Sequence, residues 1–592
     1  MPFPAPFVLL DDARTDGAAA RLYRNPHEVI AADDPGAVED VLARIRAATR
    51  DGLHAAGFLS YEAGLVLEPT ARVADNPPTP LAWFGLFDGY EEIASADVAA
   101  RLPDPAGAWV GAPNPLVSRD DYDTMLARVL ALIEAGDVYQ ANLTFRASVR
   151  FAADPLTLYA AIRGRAQAGW GAVVATGAQT LLSFSPELFF AIDGGTITCR
   201  PMKGTARRET DPARDAAAAL ALAADEKQRA ENLMIVDLMR NDLSRVAAAG
   251  SVAVPELFAV EHYPTVHQMT SVVTATLLFG KDAIDAISAL FPCGSITGAP
   301  KVRAMQVIAE IEGTPRGLYT GAIGRFDPSG DAQFNVAIRT LTIPAGATHA
   351  TIGLGGGIVA DSQPDSEWDE ALAKGAFLTH GQRVFDLIET MAFDPEDGIL
   401  RLERHLARMK ASADTFGFIF DRHAARNELQ AATFRLRGAA RVRLLLARSG
   451  AIAIQTAPAP TPRTEPLRVA IVPLPVASED FRLRHKTSDR AFYDAARIAA
   501  GTDEALFVDA HGFLTEGSFT NIFVERDGTL VTPPLTRGLL PGILRSELTD
   551  SGGAIEGDLT PADLTDGFFV GNALRGLIPA IVAVAKSDAP RL

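Results

Sequence analysis

The chain has 592 residues, of which 48% are hydrophobic and 22% charged, with a formal net charge of −18. That length exceeds what one core supports, so two or more domains are expected, and the acidic balance excludes the basic face that nucleic acid or an anionic membrane requires. Cys199 and Cys293 are the whole cysteine complement, which excludes a disulfide framework and a clustered thiolate metal site.

The opening MPFPAPFVLL lacks a basic stretch and a long apolar run, so no secretion signal is read there. No later run reaches the roughly 18 apolar residues of a membrane span, and the expected compartment is the cytoplasm. Residues 1 to 115 read as short strands with Pro/Gly turns, as in Gly57-Phe-Leu-Ser-Tyr-Glu62 and Ala82-Trp-Phe-Gly-Leu-Phe87. A helix is predicted from Asp120 to Glu134, with Met125, Val129 and Leu132 at helical spacing. Arg200-Pro-Met-Lys-Gly-Thr205 reads as a Pro/Gly-bounded turn that presents Lys203. The Ala-rich 216–224 run continues into a long helix-forming pattern over 225–246. Strands are predicted at Gln333-Phe-Asn-Val-Ala-Ile-Arg-Thr340 and Ala350-Thr-Ile-Gly-Leu354. Near 379–382 the texture changes. A strand at 384–388, a helix from Arg404 to Phe416, a Pro-rich connection at 457–466 and two strands joined at Asp509-Ala-His-Gly512 follow. The expected division is 1–115 and 116–378 for the first half, a joint at 379–382, then 383–466 and 467–592 as the small and large subdomains of the second.

Chemistry-bearing residues cluster in both halves. In the first, Glu231 sits in a helical pattern, and Glu367 and Glu370 are spaced i, i+3 on one helix face. Carboxylates from separate segments suit Mg²⁺, which takes few protein oxygens and completes its shell with substrate and water. The alternative is a solvated acidic face paired to Lys374. The Gly-rich run Phe291-Pro-Cys-Gly-Ser-Ile-Thr-Gly-Ala-Pro-Lys301 lacks the Gly-Lys-Ser/Thr ending of a nucleotide loop, yet its free N–H groups could hold a carboxylate. Tyr319 and Arg339 each end an apolar segment, and Arg suits bidentate carboxylate binding.

These runs, with GDVYQANLT (136–144), SPELFF (185–190), AENLMIVDLMRNDLSRV (230–246) and GGGIVADSQPDSEWDEALAK (355–374), resemble the chorismate-utilising enzymes: anthranilate, aminodeoxychorismate and isochorismate synthases. The resemblance covers about 115–378 and implies a layered α/β fold with large antiparallel sheets. It implies Mg²⁺ held by Glu231 and Glu370 with Glu367 nearby. The chorismate carboxylates would meet Tyr319 and Arg339 on one side, and Thr297 with the Gly355, Gly356 and Gly357 backbone on the other. His267 matches an active-site histidine of the family. The isochorismate-forming members carry Lys where this chain has Gln140, so water addition is disfavoured; anthranilate synthases carry Ala where it has Lys203. By resemblance Lys203 is then a nucleophile toward ring C2, Glu187 the acid that protonates the departing C4 hydroxyl, and ammonia the group that enters at C4. An ordinary lysine amine is neutral in roughly one molecule in a thousand at pH 7, so this role asks for a site that favours the neutral form. Neither cysteine lies in the Gly-x-Cys-x-Gly elbow of a glutaminase, which points to a separate glutamine amidotransferase subunit or to free ammonium.

In the second half, Arg484-His-Lys-Thr-Ser-Asp-Arg-Ala-Phe-Tyr493, the Glu516 segment, Phe385-Asp-Leu-Ile-Glu-Thr390, His405-Leu-Ala-Arg408, the 533–545 run and Gly571-Asn-Ala-Leu-Arg-Gly576 resemble the fold-type IV pyridoxal-phosphate enzymes. These include branched-chain and D-amino-acid aminotransferases and aminodeoxychorismate lyase. The resemblance implies that Lys486 bonds covalently to pyridoxal 5′-phosphate and later moves protons, and that Glu516 faces the pyridine nitrogen. Arg408 and the N–H groups near Gly542 and Ile543 would hold the phosphate, and the family precedent is a homodimer formed through this half. Ala491 stands where the aminotransferases carry Tyr, Leu544 where Thr is frequent, and Ala573 replaces a hydroxyl residue; the missing Tyr favours the lyase. Together the resemblances imply amination of chorismate followed by loss of pyruvate to give 4-aminobenzoate, a folate precursor. The competing assignments are an anthranilate synthase-like half joined to an aminotransferase, and a binding or scaffold protein whose second half has lost its cofactor.

Overall fold

In the computed structural model, which describes residues 3–68, 70, 80–263, 266–565 and 567–583, the alternating patterns of the first half pair into two large antiparallel sheets. The expected large subdomain of the second half, 467–592, therefore extends at 584–592 beyond the described residues. The chain forms two compact units: Met1–Pro103, Ala112–Arg150 and Pro155–Gly381 make the first, and Asp104–Gly111, Phe151–Asp154 and Gln382–Leu592 the second. Among the described residues, no helix is long and apolar enough to cross a membrane.

One sheet of the first unit runs through Gln140–Ala152, His349–Ile358, Thr340–Pro344, Gln179–Ser185, Trp170–Ala175, Phe7–Asp11 and Ala20–Arg24. The other runs through Met202–Arg207, Val266–Thr276, Thr196–Arg200, Leu188–Asp193, Ala332–Val336, Ala322–Phe326, His54–Leu59 and Ala82–Phe87. Their inner faces meet: Val8, Tyr23, Val174 and Leu181 from the first sheet share one apolar cluster with Phe58, Trp83 and Ile323 from the second. Strands from the first hundred residues lie inside both sheets, since Phe7 pairs with Ala175 and Leu59 with Ala322.

The helix expected from Asp120 runs Arg119–Glu134, and the Ser118 hydroxyl caps it by accepting from the Asp121 N–H, an interaction worth ~1 kcal/mol. The pattern over 216–246 is two helices, Pro212–Ala224 and Glu226–Ser244. Asp225 breaks it by adopting an extended backbone and accepting from Gln228 N. The second helix buries Ile235, Val236, Met239 and Leu243 against Phe189, Phe190 and Val273 of the second sheet. The strand expected over 333–340 is interrupted after Val336, where Arg339 takes a left-handed φ of 51°.

In the second unit, Gly398–Ile399, Leu387–Asp394, Ala440–Leu446 and Ile452–Pro458 form a small antiparallel sheet. Helix Leu402–Phe416 buries Leu406, Met409 and Ala413 in one core with Met391, Val442 and Leu444 of that sheet. A larger mixed sheet follows, in which Leu467–Pro473 pairs in parallel with both Glu504–Val508 and Gly576–Val582. The architecture is the multidomain α+β/α/β arrangement expected, with a layered sheet fold followed by a smaller fold built on two sheets.

Candidate active sites

Lys203 lies in a strand, Met202–Arg207, rather than in the turn read from its Pro and Gly neighbours; the pairing with Val266–Thr276 shifts register between Met202 and Thr205. Gly204, at φ 105°, permits that irregularity. The segment is pinned by Asn232 Nδ2 donating to Lys203 O (3.2 Å) and Gln268 Nε2 donating to Gly204 O (2.8 Å). The Lys203 ammonium then reaches Glu231 Oε2, one helical position from Asn232, at 3.1 Å.

The remaining acids come from helix Pro364–Ala373. Glu370 pairs with Lys374 (2.9 Å), which also donates to Gly355 O (2.8 Å). Burial pushes the Glu370 carboxyl up, but Lys374 outweighs it and holds the group low. Glu367 accepts from Ser362 Oγ (2.6 Å), and burial, with Glu370 beside it, raises its pKa. The glycine floor explains itself sterically. A Cβ on Gly356 would lie 3.3 Å from Lys374 Nζ and 3.5 Å from Glu367 Oε2. One on Gly357 would lie 2.8 Å from Gln140 Nε2 and 3.0 Å from Lys203 Nζ. Gln140 is fully buried, and among the described residues its amide nitrogen and oxygen have no hydrogen-bond partner. Lys203, Gln140 and the three carboxylates thus flank one backbone segment.

Glu187 is buried, accepts from the Met202 N–H of the Lys203 strand, and accepts from Ser295 Oγ at its Oε1 (2.7 Å). Burial drives its pKa up to about 7, against the pull of Ser295, the Met202 N–H and Lys203. Near pH 7 it can therefore carry a proton to give. The Tyr319 ring lies flat against Gly353, with a Cβ there only 2.1 Å from the ring, and burial raises its hydroxyl pKa. Among the described residues the Arg339 guanidinium makes no ion pair, and burial lowers its pKa, which leaves it open to an anionic ligand. Thr297 turns its hydroxyl to the carbonyls of Cys293 (3.3 Å) and Gly294 (3.1 Å), while its own carbonyl accepts from Asn142 N (2.8 Å). His267 is engaged elsewhere: its Nε2 meets Asp215 (2.9 Å) and its Nδ1 meets His262 (2.7 Å). Among the described residues, no hydrogen bond or ion pair joins it to the carboxylates around Lys203.

Among the described residues, no three His, Cys, Asp or Glu side chains stand close enough to cage a metal. The hard carboxylate oxygens of Glu231 and Glu370, each already facing a cation, fit Mg²⁺ as a partial shell to be completed by substrate and water.

The second unit holds a cavity of about 510 Å³ whose walls include Lys486, Glu516, Arg408, Gly542 and Ile543. Lys486 is fixed through its backbone, its carbonyl accepting from Ile388 N (2.9 Å). Burial pushes its amine pKa down to about 7, helped by Arg490 and Arg408. Glu516 stands within strand Leu514–Gly517 and accepts from Tyr493 Oη (2.5 Å) and Leu540 N (3.2 Å). Burial lifts its pKa to about 7 in spite of both donors. Tyr493, two residues beyond Ala491, so supplies an aromatic hydroxyl to this cavity by a different route.

Arg408 is gripped by Glu389, which its Nε and Nη2 approach at 2.8 and 2.7 Å, and donates to Pro541 O (2.9 Å) beside the start of helix Ile543–Asp550. Burial would raise Glu389, but Arg408 and His405 hold it at about 2. A Cβ on Gly542 would collide with the Asn521 amide. This cradle, a helix start beside a guanidinium with a glycine floor, fits a phosphate, and a buried amine and a buried carboxyl in one cavity fit the rest of a pyridoxal phosphate. The Glu389–His405 support and Arg490 were missed from sequence as site residues, although Glu389 and His405 lie inside motifs named above.

Residues 5–380 match the family of chorismate binding enzymes. The chain belongs to that family. Residues 386–581 match the amino-transferase class IV family. Within the chorismate-binding family, the chain is 41% identical over 306 residues to aminodeoxychorismate synthase component 1 of Klebsiella aerogenes, covering 52% of this chain and 65% of that protein. It is 36% identical to an anthranilate synthase component 1 of Halobacterium salinarum, covering 54% of this chain and 67% of that one. The solved anthranilate synthase component I from Streptococcus pneumoniae TIGR4 superposes with a TM-score of 0.53 at 26% identity, over 64% of this chain and 93% of its own. The chain thus spans roughly two thirds of these two curated relatives.

Proposed function

We propose that this chain makes 4-aminobenzoate in two steps, aminating chorismate to 4-amino-4-deoxychorismate in the first unit and eliminating pyruvate in the second. The observation that carries the first step is the lysine at 203, placed 3.1 Å from Glu231 and beside Gly357 and Gln140. A relative named aminodeoxychorismate synthase component 1 supports it. The match to class IV aminotransferases, with Lys486 and Glu516 in one cavity, supports the second step.

In the first unit Arg339 and Tyr319 bind the enolpyruvyl carboxylate, and the 355–357 backbone and Thr297 support the ring carboxylate. Glu231 and Glu370, with Glu367 nearby, would hold Mg²⁺, which when bound neutralises the ring carboxylate. The Lys203 amine forms a bond to ring C2, both ring double bonds shift (C1=C2 to C1=C6, C5=C6 to C4=C5), and the C4–O bond breaks. Glu187 gives its proton to the leaving hydroxyl, which departs as water. Ammonia then bonds to C4, both double bonds return, and the C2–N bond to Lys203 breaks. Gln140, an amide, cannot take a proton from water, which disfavours hydroxylation. His267, held by Asp215 and His262, supports the strand that pairs with the Lys203 strand. Ammonia comes from a glutamine amidotransferase subunit.

In the second unit Arg408, Gly542 and Ile543 would hold the phosphate of pyridoxal phosphate, Lys486 would bond to it and Glu516 would face its ring nitrogen. That group, when bound, withdraws electrons from the carbon bearing the substrate amine. Lys486, its amine freed when the substrate amine displaces it, takes the proton from ring C4. The C3–O bond breaks, enolpyruvate takes up a proton and leaves as pyruvate, and the ring becomes aromatic.

Incubating the full chain with chorismate, Mg²⁺ and ammonium, with and without added pyridoxal phosphate, tests this. The expected product with the cofactor is 4-aminobenzoate; anthranilate as the main product would overturn the assignment. Lys203→Ala is expected to lower 4-aminobenzoate formation by at least ~100-fold, and full retention of rate would refute the covalent role.

A further inference from the structure

The cavity of the second unit contains more positive charge than its phosphate cradle accounts for. Arg441 and Arg443 line it from strand Ala440–Leu446. Among the described residues neither side chain makes an ion pair or hydrogen bond, and the Arg443 Nε is buried without a partner. The acids facing the same space are taken: Glu516 by Tyr493 and Leu540, and Asp494 by Arg497 at 3.3 Å. For the half-buried Arg443, a guanidinium without a counter-charge is costly unless a ligand supplies one; Arg441 is exposed and brings a second unpaired charge to the same space.

Strand geometry makes the two arginines a pair. Residues two apart point to the same face, ~7 Å apart along the strand. Across the ladder Arg441 is opposite Ala392 and Ala457, and Arg443 is opposite Thr390 and Gln455, so no acid flanks either. Glu389, which holds Arg408, pairs with Leu444 and so belongs to the other pleat face. The paired guanidiniums are therefore separate from the residues that cradle a phosphate.

We propose that Arg441 and Arg443 form a two-point clamp that selects a dicarboxylate substrate in this cavity. The inference rests on the lyase reading and deepens it, because 4-amino-4-deoxychorismate carries one carboxylate on the ring and one on the enolpyruvyl group, whereas an ordinary amino acid carries a single α-carboxylate. Each guanidinium takes one carboxylate, and a monocarboxylate leaves one arginine unpaired.

The test uses the full chain loaded with pyridoxal phosphate and titrated with 3-(carboxymethoxy)benzoate, a dicarboxylate without an amine. Binding is followed at the visible band of the cofactor, which reports this cavity alone. Benzoate and phenoxyacetate are the monocarboxylate controls. The dicarboxylate is expected to bind at least tenfold tighter than either control. Arg441→Gln and Arg443→Gln are each expected to weaken it by ~10- to 100-fold and leave the controls within about threefold, with partial recovery in Arg441→Lys. Arg441 is exposed, so its substitution leaves the core intact. If both glutamine variants bind the dicarboxylate as the wild type does while 4-aminobenzoate is still formed, the clamp is wrong and the lyase reading stands. If the selectivity depends on both arginines but no 4-aminobenzoate is formed, the clamp stands and the lyase reading falls. A chain that takes up no cofactor overturns both.

Discussion

Lys486 and Glu516 show how burial, as the largest influence, reshapes acid–base chemistry. Each has its pKa brought to about 7, the amine from above and the carboxyl from below, because desolvation disfavours the charged form of either. A neutral amine attacks an aldehyde and a protonated one does not, so Lys486 is half-competent near pH 7 where an ordinary lysine is almost wholly protonated. Adding pyridoxal phosphate to cofactor-free chain should therefore produce a borohydride-sensitive visible absorbance at a rate that climbs between pH 6 and 8 and then flattens. A rate still rising tenfold per pH unit at pH 9 would show that the amine titrates like a free one. Glu187 follows the same logic in the first unit, where burial keeps a carboxyl protonated near neutrality.

Elements with a strong local signal were legible in the sequence. The helix at Arg119–Glu134 follows from its apolar spacing, and the Leu402–Phe416 helix begins two residues before the expected Arg404. Where a side chain competes with the backbone the pattern misled, as Asp225 divides one helical run in two; the run expected as one strand over 333–340 breaks between Val336 and Thr340, where Arg339 takes a left-handed φ. The acids of the first site were recognisable through motif resemblance, and Lys374 as the partner of that acidic face, i, i+4 from Glu370; the Lys203–Glu231 pair was not, since it depends on the packing of a helix against a strand. Arg441 and Arg443 had no motif to announce them; period-2 alternation put them on one face, and only the surrounding cavity shows that face to be enclosed. The His349–Ile358 strand offers a direct check on such packing. Tyr319 occupies the space a Cβ would need at Gly353, so Gly353→Ala should destabilise the chain by ~1–3 kcal/mol, read as a lower denaturation midpoint, and should raise the KM for chorismate. An unchanged midpoint would mean that the ring is free to move aside.

At the scale of the whole molecule, both thiols are sealed in the interior. Burial raises the Cys293 pKa to about 12 and that of Cys199 well above its ordinary value, so neither can serve as the thiolate that releases ammonia from glutamine. Ammonium salts should support 4-aminobenzoate formation by the purified chain, and glutamine should replace them only after a separate glutaminase is added. Activity with glutamine alone would require another nucleophile in the chain.

The placement of Phe7–Asp11 against Trp170–Ala175 and of His54–Leu59 against Ala322–Phe326 bears on how this protein can be recombined. A crossover near residue 115 would strip a strand from beside each of those partners and lay open two ladders of unpaired amides at once. Any donor segment would have to restore both edges in register. The first hundred residues are thus inherited together with Lys203 and its acids, and libraries built by shuffling should keep them as one block.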